Sequence, residues 1–125
     1  TGLGVIPGYG GTQRLAQLAG KGKAMELIFT AGMMNADDAL KSGLVNYVVR
    51  SEDLMAKCEE LAHKIVKNSS IAIAAAIRSV NSGYIDGEDG YKVEIDEFAN
   101  CFDSEDFKEG TTAFLEKRKP NFPGK

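Results

Sequence analysis

Ile6-Pro7-Gly8-Tyr9-Gly10-Gly11-Thr12-Gln13-Arg14-Leu15 joins a loop rich in glycine to the start of a helix. Pro7 fixes its own φ and offers no N–H, so a regular element breaks there. Gly8, Gly10 and Gly11 let the backbone approach a ligand closely. Thr12 is placed to cap the helix that follows, because its hydroxyl can accept from the free N–H groups of the first turn. Those N–H groups and the partial positive charge of the helix end point back into the loop. The space in front of them suits an anionic group. A tight turn that needs glycine for geometry alone explains the same residues.

The glycines do not make a nucleotide-binding loop. A P-loop requires G-x-x-x-x-G-K-[ST], and Lys21 is not placed for it. A dinucleotide fingerprint requires G-x-G-x-x-G. Gly2 and Gly4 lead to Pro7, and Gly8 and Gly10 lead to Gln13.

Outward from this stretch the pattern is helical. Leu15, Leu18 and Ala19 form an apolar stripe that Gly20 stops. A second helix carries Ala24, Met25, Leu27, Ile28 and Phe29. Asn35 caps a short third, with Asp38 in a box-like position and Ala36 and Ala39 facing in. Gly43 ends it. Leu44-Val45-Asn46-Tyr47-Val48-Val49 reads as the one short β-strand. A lone strand cannot satisfy its own backbone groups, so this reading demands a pairing partner.

Beyond residue 50 everything reads as amphipathic helix. Ser51 is placed to cap a helix with Leu54, Cys58, Leu61, Ala62 and Ile65 on one face. Asn68-Ser69-Ser70 breaks it and starts another, ending at Gly83. Tyr91, Ile95, Phe98 and Phe102 recur at helical spacing. Asp103 or Ser104 caps a last helix that Pro120 ends. The predicted fold is therefore a mostly α chain, about six or seven helices with one short strand. It divides into residues 1–50, a remnant of a larger core, and residues 51–125, a helical module.

Composition narrows the function. The 125 residues are 43% hydrophobic and 26% charged, with a formal net charge of -3, which argues against a general nucleic-acid binder. Two cysteines, Cys58 and Cys101, and one histidine, His63, lack metal-ligand spacing, so no metal site is expected. Both cysteines fall at apolar helical positions and read as buried thiols of a reducing compartment. No apolar run approaches the ~20 residues that span a bilayer.

Other candidate residues have ordinary explanations. His63 lies opposite its helix's apolar stripe and reads as solvated. Ser69-Ser70 reads as a helix start, with no neighbouring base to make a nucleophile. The acidic stretch from Asp86 to Glu109 reads as the solvated side of two helices. Lys117-Arg118-Lys119 reads either as a basic last turn that complements the helix dipole or as a contact for a phosphorylated ligand, with Phe114 supplying an apolar surface.

The Ile6–Leu15 segment resembles the I-P-G-x-G-G-T-Q-R-L signature of the enoyl-CoA hydratase (crotonase) family. Ala36, Ala39 and Gly43-Leu44-Val45 fit its A-x-x-A-x-x-x-G-L-V segment. Phe107-Lys108-Glu109-Gly110 and Ala113-Phe114-Leu115-Glu116-Lys117-Arg118-Lys119 resemble the tail of its hydratases. The resemblance implies an α/β crotonase-type fold and the addition of water to 2-enoyl-CoA thioesters, giving 3-hydroxyacyl-CoA. It implies that this chain is the carboxyl-terminal part, with the catalytic glutamates and the oxyanion hole expected upstream of Thr1 and no catalytic residue here. Gly8 would border the active site. Phe98 and Phe114 would line the acyl or pantetheine region, and Lys117 would reach a CoA phosphate.

The resemblance further implies coenzyme A as part of the substrate, no separate cofactor, no nucleic-acid or membrane partner, and a trimer or paired trimers built through residues from about 51 onward. A bacterial cytoplasmic location is expected, a mitochondrial matrix one being the alternative. The sequence departs from the family at Ala31-Gly32, where glycine usually follows the threonine directly. Rival readings are a stand-alone helical assembly module and a piece of a related isomerase or acyl-CoA hydrolase.

Overall fold

The computed structural model describes residues 1–125. Seven α-helices account for its regular structure: α1 Gly11–Ala19, α2 Lys21–Thr30, α3 Ala36–Lys41, α4 Leu54–Ile65, α5 Ser70–Ser82, α6 Gly90–Cys101 and α7 Glu105–Leu115. A 3-10 turn, Ser51–Asp53, leads into α4. The chain forms two compact units, Thr1–Leu54 and Met55–Lys125. No helix is long and apolar enough to cross a membrane.

In the first unit α1 packs on α2. The cap of α1 is Gly10, not Thr12. Gly10 sits at φ 74, in the left-handed region that glycine tolerates best, and no side chain caps the helix. Its carbonyl accepts from Arg14 N at 2.9 Å, which starts the helix two residues earlier than expected. Asn35 caps α3 as read: its Oδ1 accepts from Asp38 N at 2.8 Å, while its amide donates to Asp38 Oδ2 at 2.9 Å. Ala39 is half-buried, but Ala36 is exposed.

Residues 44–49 do not form the expected strand. Leu44 N donates to Ala39 O at 2.9 Å and Val45 N to the same oxygen at 3.4 Å, so the segment's first donors close the end of α3. No second strand exists in the chain to pair with the rest. Period and β-branching favour an extended backbone, but a ladder needs two partners.

In the second unit α5 packs on α6. Arg78 ties them with a two-pronged contact to Glu97, at 2.6 and 2.7 Å. Ser69 caps α5 by accepting from Ala72 N at 3.1 Å, and Ser104 caps α7 by accepting from Phe107 N at 3.0 Å. Ser51 caps nothing: it opens the 3-10 turn, which has no side-chain cap. Asp89 caps α6, accepting from Tyr91 N and Lys92 N.

The last helix ends at Leu115, well before Pro120. Lys117 N donates to Phe114 O at 3.3 Å and Arg118 N to Ala113 O at 3.0 Å, with Lys117 at φ 55. This is a Schellman end with lysine in the left-handed position that glycine usually fills. Lys117-Arg118-Lys119 therefore lies past the helix and not in its last turn. Ala31 plays the same part after α2, at φ 50. The residue that departs from the family pattern is thus one the backbone forces into an unfavourable region.

Buried apolar residues are few and small: Ala24 in the first unit, Ala75 and Ala113 in the second. Cys58 is exposed and Cys101 only half-buried, against the expectation of two buried thiols. Cys58 lies on α4, none of whose residues is fully buried, although Leu61 of its apolar stripe is half-covered. His63 is exposed, as its position opposite that stripe implies.

Candidate functional site

The first unit offers the glycine loop. Gly8 O accepts from Gly11 N at 2.9 Å, closing a turn that directs α1 away from it. A Cβ placed at Gly8 would meet nothing within 4 Å. Within this chain, then, neither space nor backbone conformation requires glycine at 8. At Gly11 a Cβ would approach Pro7 Cβ to 3.2 Å, and Gly10 needs its positive φ, so those two glycines serve the turn itself. Tyr9, also left-handed at φ 53, is fully exposed. Arg14 folds back along the turn and donates to Tyr9 O. That places a guanidinium beside the uncapped first turn of α1.

The second unit holds an apolar groove of about 520 Å³. Ala72 of α5, Cys101 of α6, Phe107, Gly110, Thr111, Phe114 and Leu115 of α7, and Phe122 of the tail line it. Phe114 projects into it while remaining 83% exposed. Phe98 does not line it. Phe98 packs edge-on against Phe102, ring centres 5.0 Å apart, and Phe102 lies 4.5 Å from Phe107, which does line the groove. The aromatic series therefore leads from α6 to the groove, with Phe98 at its outer end.

Lys117 stands one turn beyond Phe114, held by the Schellman end. Its neighbour Arg118 is already engaged: its fork meets Glu109 at 2.6 and 2.8 Å, and its Nε donates to Glu116 at 2.6 Å. Arg118 is thus a structural cation, and Lys117 and Lys119 are the members of the basic run that make none of the unit's ion pairs. Of the candidate contacts in this unit, Phe114 lines the groove, Lys117 is tied to it through the backbone of the helix end, and Phe98 is set apart.

At the groove floor lies a carboxylate that sequence reading assigned to solvent. Asp106 is 2% exposed. Its Oδ2 accepts from Ser69 Oγ at 2.5 Å and its Oδ1 from Gly124 N at 2.7 Å. The Ser69 hydrogen bond, helped by the Gly124 and Lys125 backbone, holds its pKa below the usual aspartate value against the opposing effect of burial. Glu109 is lowered to about 2, first by Arg118 and then by Asn121 N, which donates to it at 2.6 Å.

Glu97 is lowered by Arg78. Glu60 is lowered to about 2 by Lys57 and Lys64. Every perturbed carboxylate is thus pushed towards the ionised form, the opposite of what a general acid needs. No group of three His, Cys, Asp or Glu side chains is arranged to hold a metal ion.

Spacing could have revealed Asp106 and Glu109. Asp106, Glu109, Gly110 and Ala113 recur at i, i+3, i+4 and i+7, the register of a packed helix face, where two carboxylates require donors.

Comparison with known proteins places this geometry. A family model described as enoyl-CoA hydratase/isomerase matches residues 1–125. The crotonyl-CoA hydratase of Syntrophomonas wolfei is 45% identical over 125 residues, which is 99% of this chain and 48% of that protein. The short-chain-enoyl-CoA hydratase of Clostridium acetobutylicum is 47% identical over 119 residues, 94% of this chain and 46% of that protein. Among solved structures, an enoyl-CoA hydratase from Bacillus anthracis superposes with a TM-score of 0.90 at 39% identity, covering 99% of this chain and 48% of that one. The chain spans about half the length of the curated relatives it matches.

Proposed function

Because the chain belongs to the enoyl-CoA hydratase/isomerase family, we propose that it is part of a longer short-chain enoyl-CoA hydratase, which adds water across the 2,3 double bond of an enoyl-CoA thioester. The observation that carries this reading is the 45% identity with a crotonyl-CoA hydratase along nearly the whole chain. The reaction needs donors that stabilise an enolate and carboxylates that move the proton. In this reading both are supplied by the half of the protein that these 125 residues do not include.

Within the reading, Gly8 borders the catalytic water and Phe114 contacts the acyl or pantetheine portion, with Phe98 behind it. Lys117 meets a CoA phosphate. The place of Phe114 in the apolar groove and the lack of an ion pair at Lys117, just past the same helix, support the last pair. Assembly as a trimer or paired trimers belongs to the same reading. It is supported by the exposed apolar residues of α4 (Leu54, Met55, Ile65) and α6 (Tyr91, Ile95, Phe98). A monodisperse monomer in sedimentation of the longer protein would count against that assembly.

The test compares the 125-residue chain with the longer protein on crotonyl-CoA, following loss of the conjugated thioester and the identity of the product. The longer protein should form 3-hydroxybutyryl-CoA, and the chain alone should not turn over. A shifted double bond instead of a hydroxyl would replace hydration with isomerisation. Turnover by the chain alone would refute its dependence on the other half. In the longer protein Gly8→Ala should lower kcat without lowering thermal stability, because no atom of this chain opposes the added methyl.

A further inference from the structure

Residues 118–125 follow α7 back along its own surface and are tied to it at both ends. At the near end Glu109 receives the Arg118 guanidinium and Asn121 N. At the far end Asp106 receives Gly124 N, and the Lys125 carbonyl accepts from Glu105 N at 2.7 Å and Asp106 N at 3.2 Å, covering the start of α7. Between the two ties, Phe122 lies on Gly110, where a Cβ would come within 3.3 Å of the ring.

The face of α7 made by Asp106, Glu109, Gly110 and Ala113 is thus built to receive a backbone and one ring. Carboxylates take the strap's N–H groups, glycine admits the ring, and Ala113, 1% exposed, lies beneath. Ser69 ties the same carboxylate to the start of α5, so the strap's far anchor is fixed from two helices.

Phe122 has a second neighbour. It lines the apolar groove, and it also lines a second, mixed space of about 620 Å³ that includes Val66, Lys67, Asn68, Ser70, Lys119 and Pro120. No other residue lines both. Its ring is the one lining group that the apolar groove and the mixed space share.

We propose that residues 118–125 are a latched strap, with Asp106 as the positioning residue whose hold on Gly124 and Ser69 keeps Phe122 as the wall dividing the two cavities. The inference stands on the geometry of this unit and does not depend on the proposed reaction.

The test uses the full 125-residue chain and two variants. Gly124→Pro removes the donated N–H and forbids the φ of 75 found there, leaving α7 untouched. Phe122→Ala keeps the latch and removes the partition. Hydrogen exchange reads the amides of Glu105, Asp106 and Asn121. Thiol labelling, resolved by peptide mass, reads Cys101 in the groove against exposed Cys58 as internal reference.

Gly124→Pro should speed exchange at Glu105 and Asp106 by about tenfold or more, the loss expected when hydrogen bonds to a charged anchor break. It should leave the α5 and α6 amides unchanged and raise the Cys101-to-Cys58 labelling ratio. Phe122→Ala should raise that ratio severalfold while Glu105 and Asp106 stay protected. An unchanged ratio in Phe122→Ala overturns the partition. Faster exchange throughout α5 and α6 in Gly124→Pro overturns the strap as a separable element, because the tail would then belong to the cooperative core.

Discussion

The two units hold themselves together by different means. The first, Thr1–Leu54, relies on backbone conformation. Its loop and helix ends run through left-handed residues at Gly4, Tyr9, Gly10, Ala31 and Gly43. One side-chain tie, Thr1 Oγ1 to Ile28 O at 2.6 Å, spans 27 residues. The second, Met55–Lys125, relies on carboxylates that gather donors from distant segments: Glu97 from Arg78, Glu109 from Arg118 and Asn121, Asp106 from Ser69 and Gly124. Neither buries a large apolar side chain fully. The difference teaches that a segment with little core can be fixed either by restricting φ and ψ or by saturating buried acceptors, and that each route fails to a different kind of substitution.

The largest test of the comparison falls on the second unit. Ala113→Leu adds bulk at its most buried apolar position and should destabilise it by about 1–3 kcal/mol, read by chemical denaturation. A neutral result would mean that the tail yields freely and that the unit is not fixed from α7. Next, in the first unit, Gly10→Ala forces a side chain into the left-handed region and should cost about 1–2 kcal/mol, whereas Gly8→Ala should fall within about 0.5 kcal/mol. Equal effects at the two glycines would break the claim that conformation, and not space, holds this loop.

Smaller effects sharpen the contrast at the helix ends. Ala31→Gly and Lys117→Gly relieve a left-handed residue in each unit and should each stabilise by about 0.5–1 kcal/mol in thermal melts. The least is the acid response of the strap's near tie. Glu109 has a folded pKa of about 2 against an ordinary 4.5, so its contribution is complete above about pH 4.5 and is lost as pH falls towards 2. The protection of Asn121 N against exchange, taken relative to the free-chain rate at each pH, should fall as pH drops through that window, and Glu109→Gln should flatten the dependence.

Much of the helical frame was legible. Asn35, Ser69 and Ser104 each cap the helix they precede, because a short polar side chain finds its acceptors' partners within three residues. Gly20 and Gly43 mark helix ends for the same local reason. The family was legible in the Ile6–Leu15 and Phe107–Lys119 motifs. Of the candidate contacts, the nearness of Phe114 and Lys117 along the chain follows from three residues of spacing. The displacement of Phe98 from the groove does not, since helical period alone puts it on the same face as Phe102.

The amino-acid sequence by itself determined a frame of about six or seven helices, several of their ends and the family, since caps, stripes and motifs act over a few residues along one backbone. Tertiary structure decided the rest. It left residues 44–49 without a ladder, because their first donors close α3 and no second strand is present to pair. It left Cys58 exposed, on a helix none of whose residues is fully buried. It turned Asp106 from a presumed surface charge into a buried anchor, because its partner Ser69 lies 37 residues away. A hydrogen bond of that span is set by where two helices meet, which no local pattern encodes.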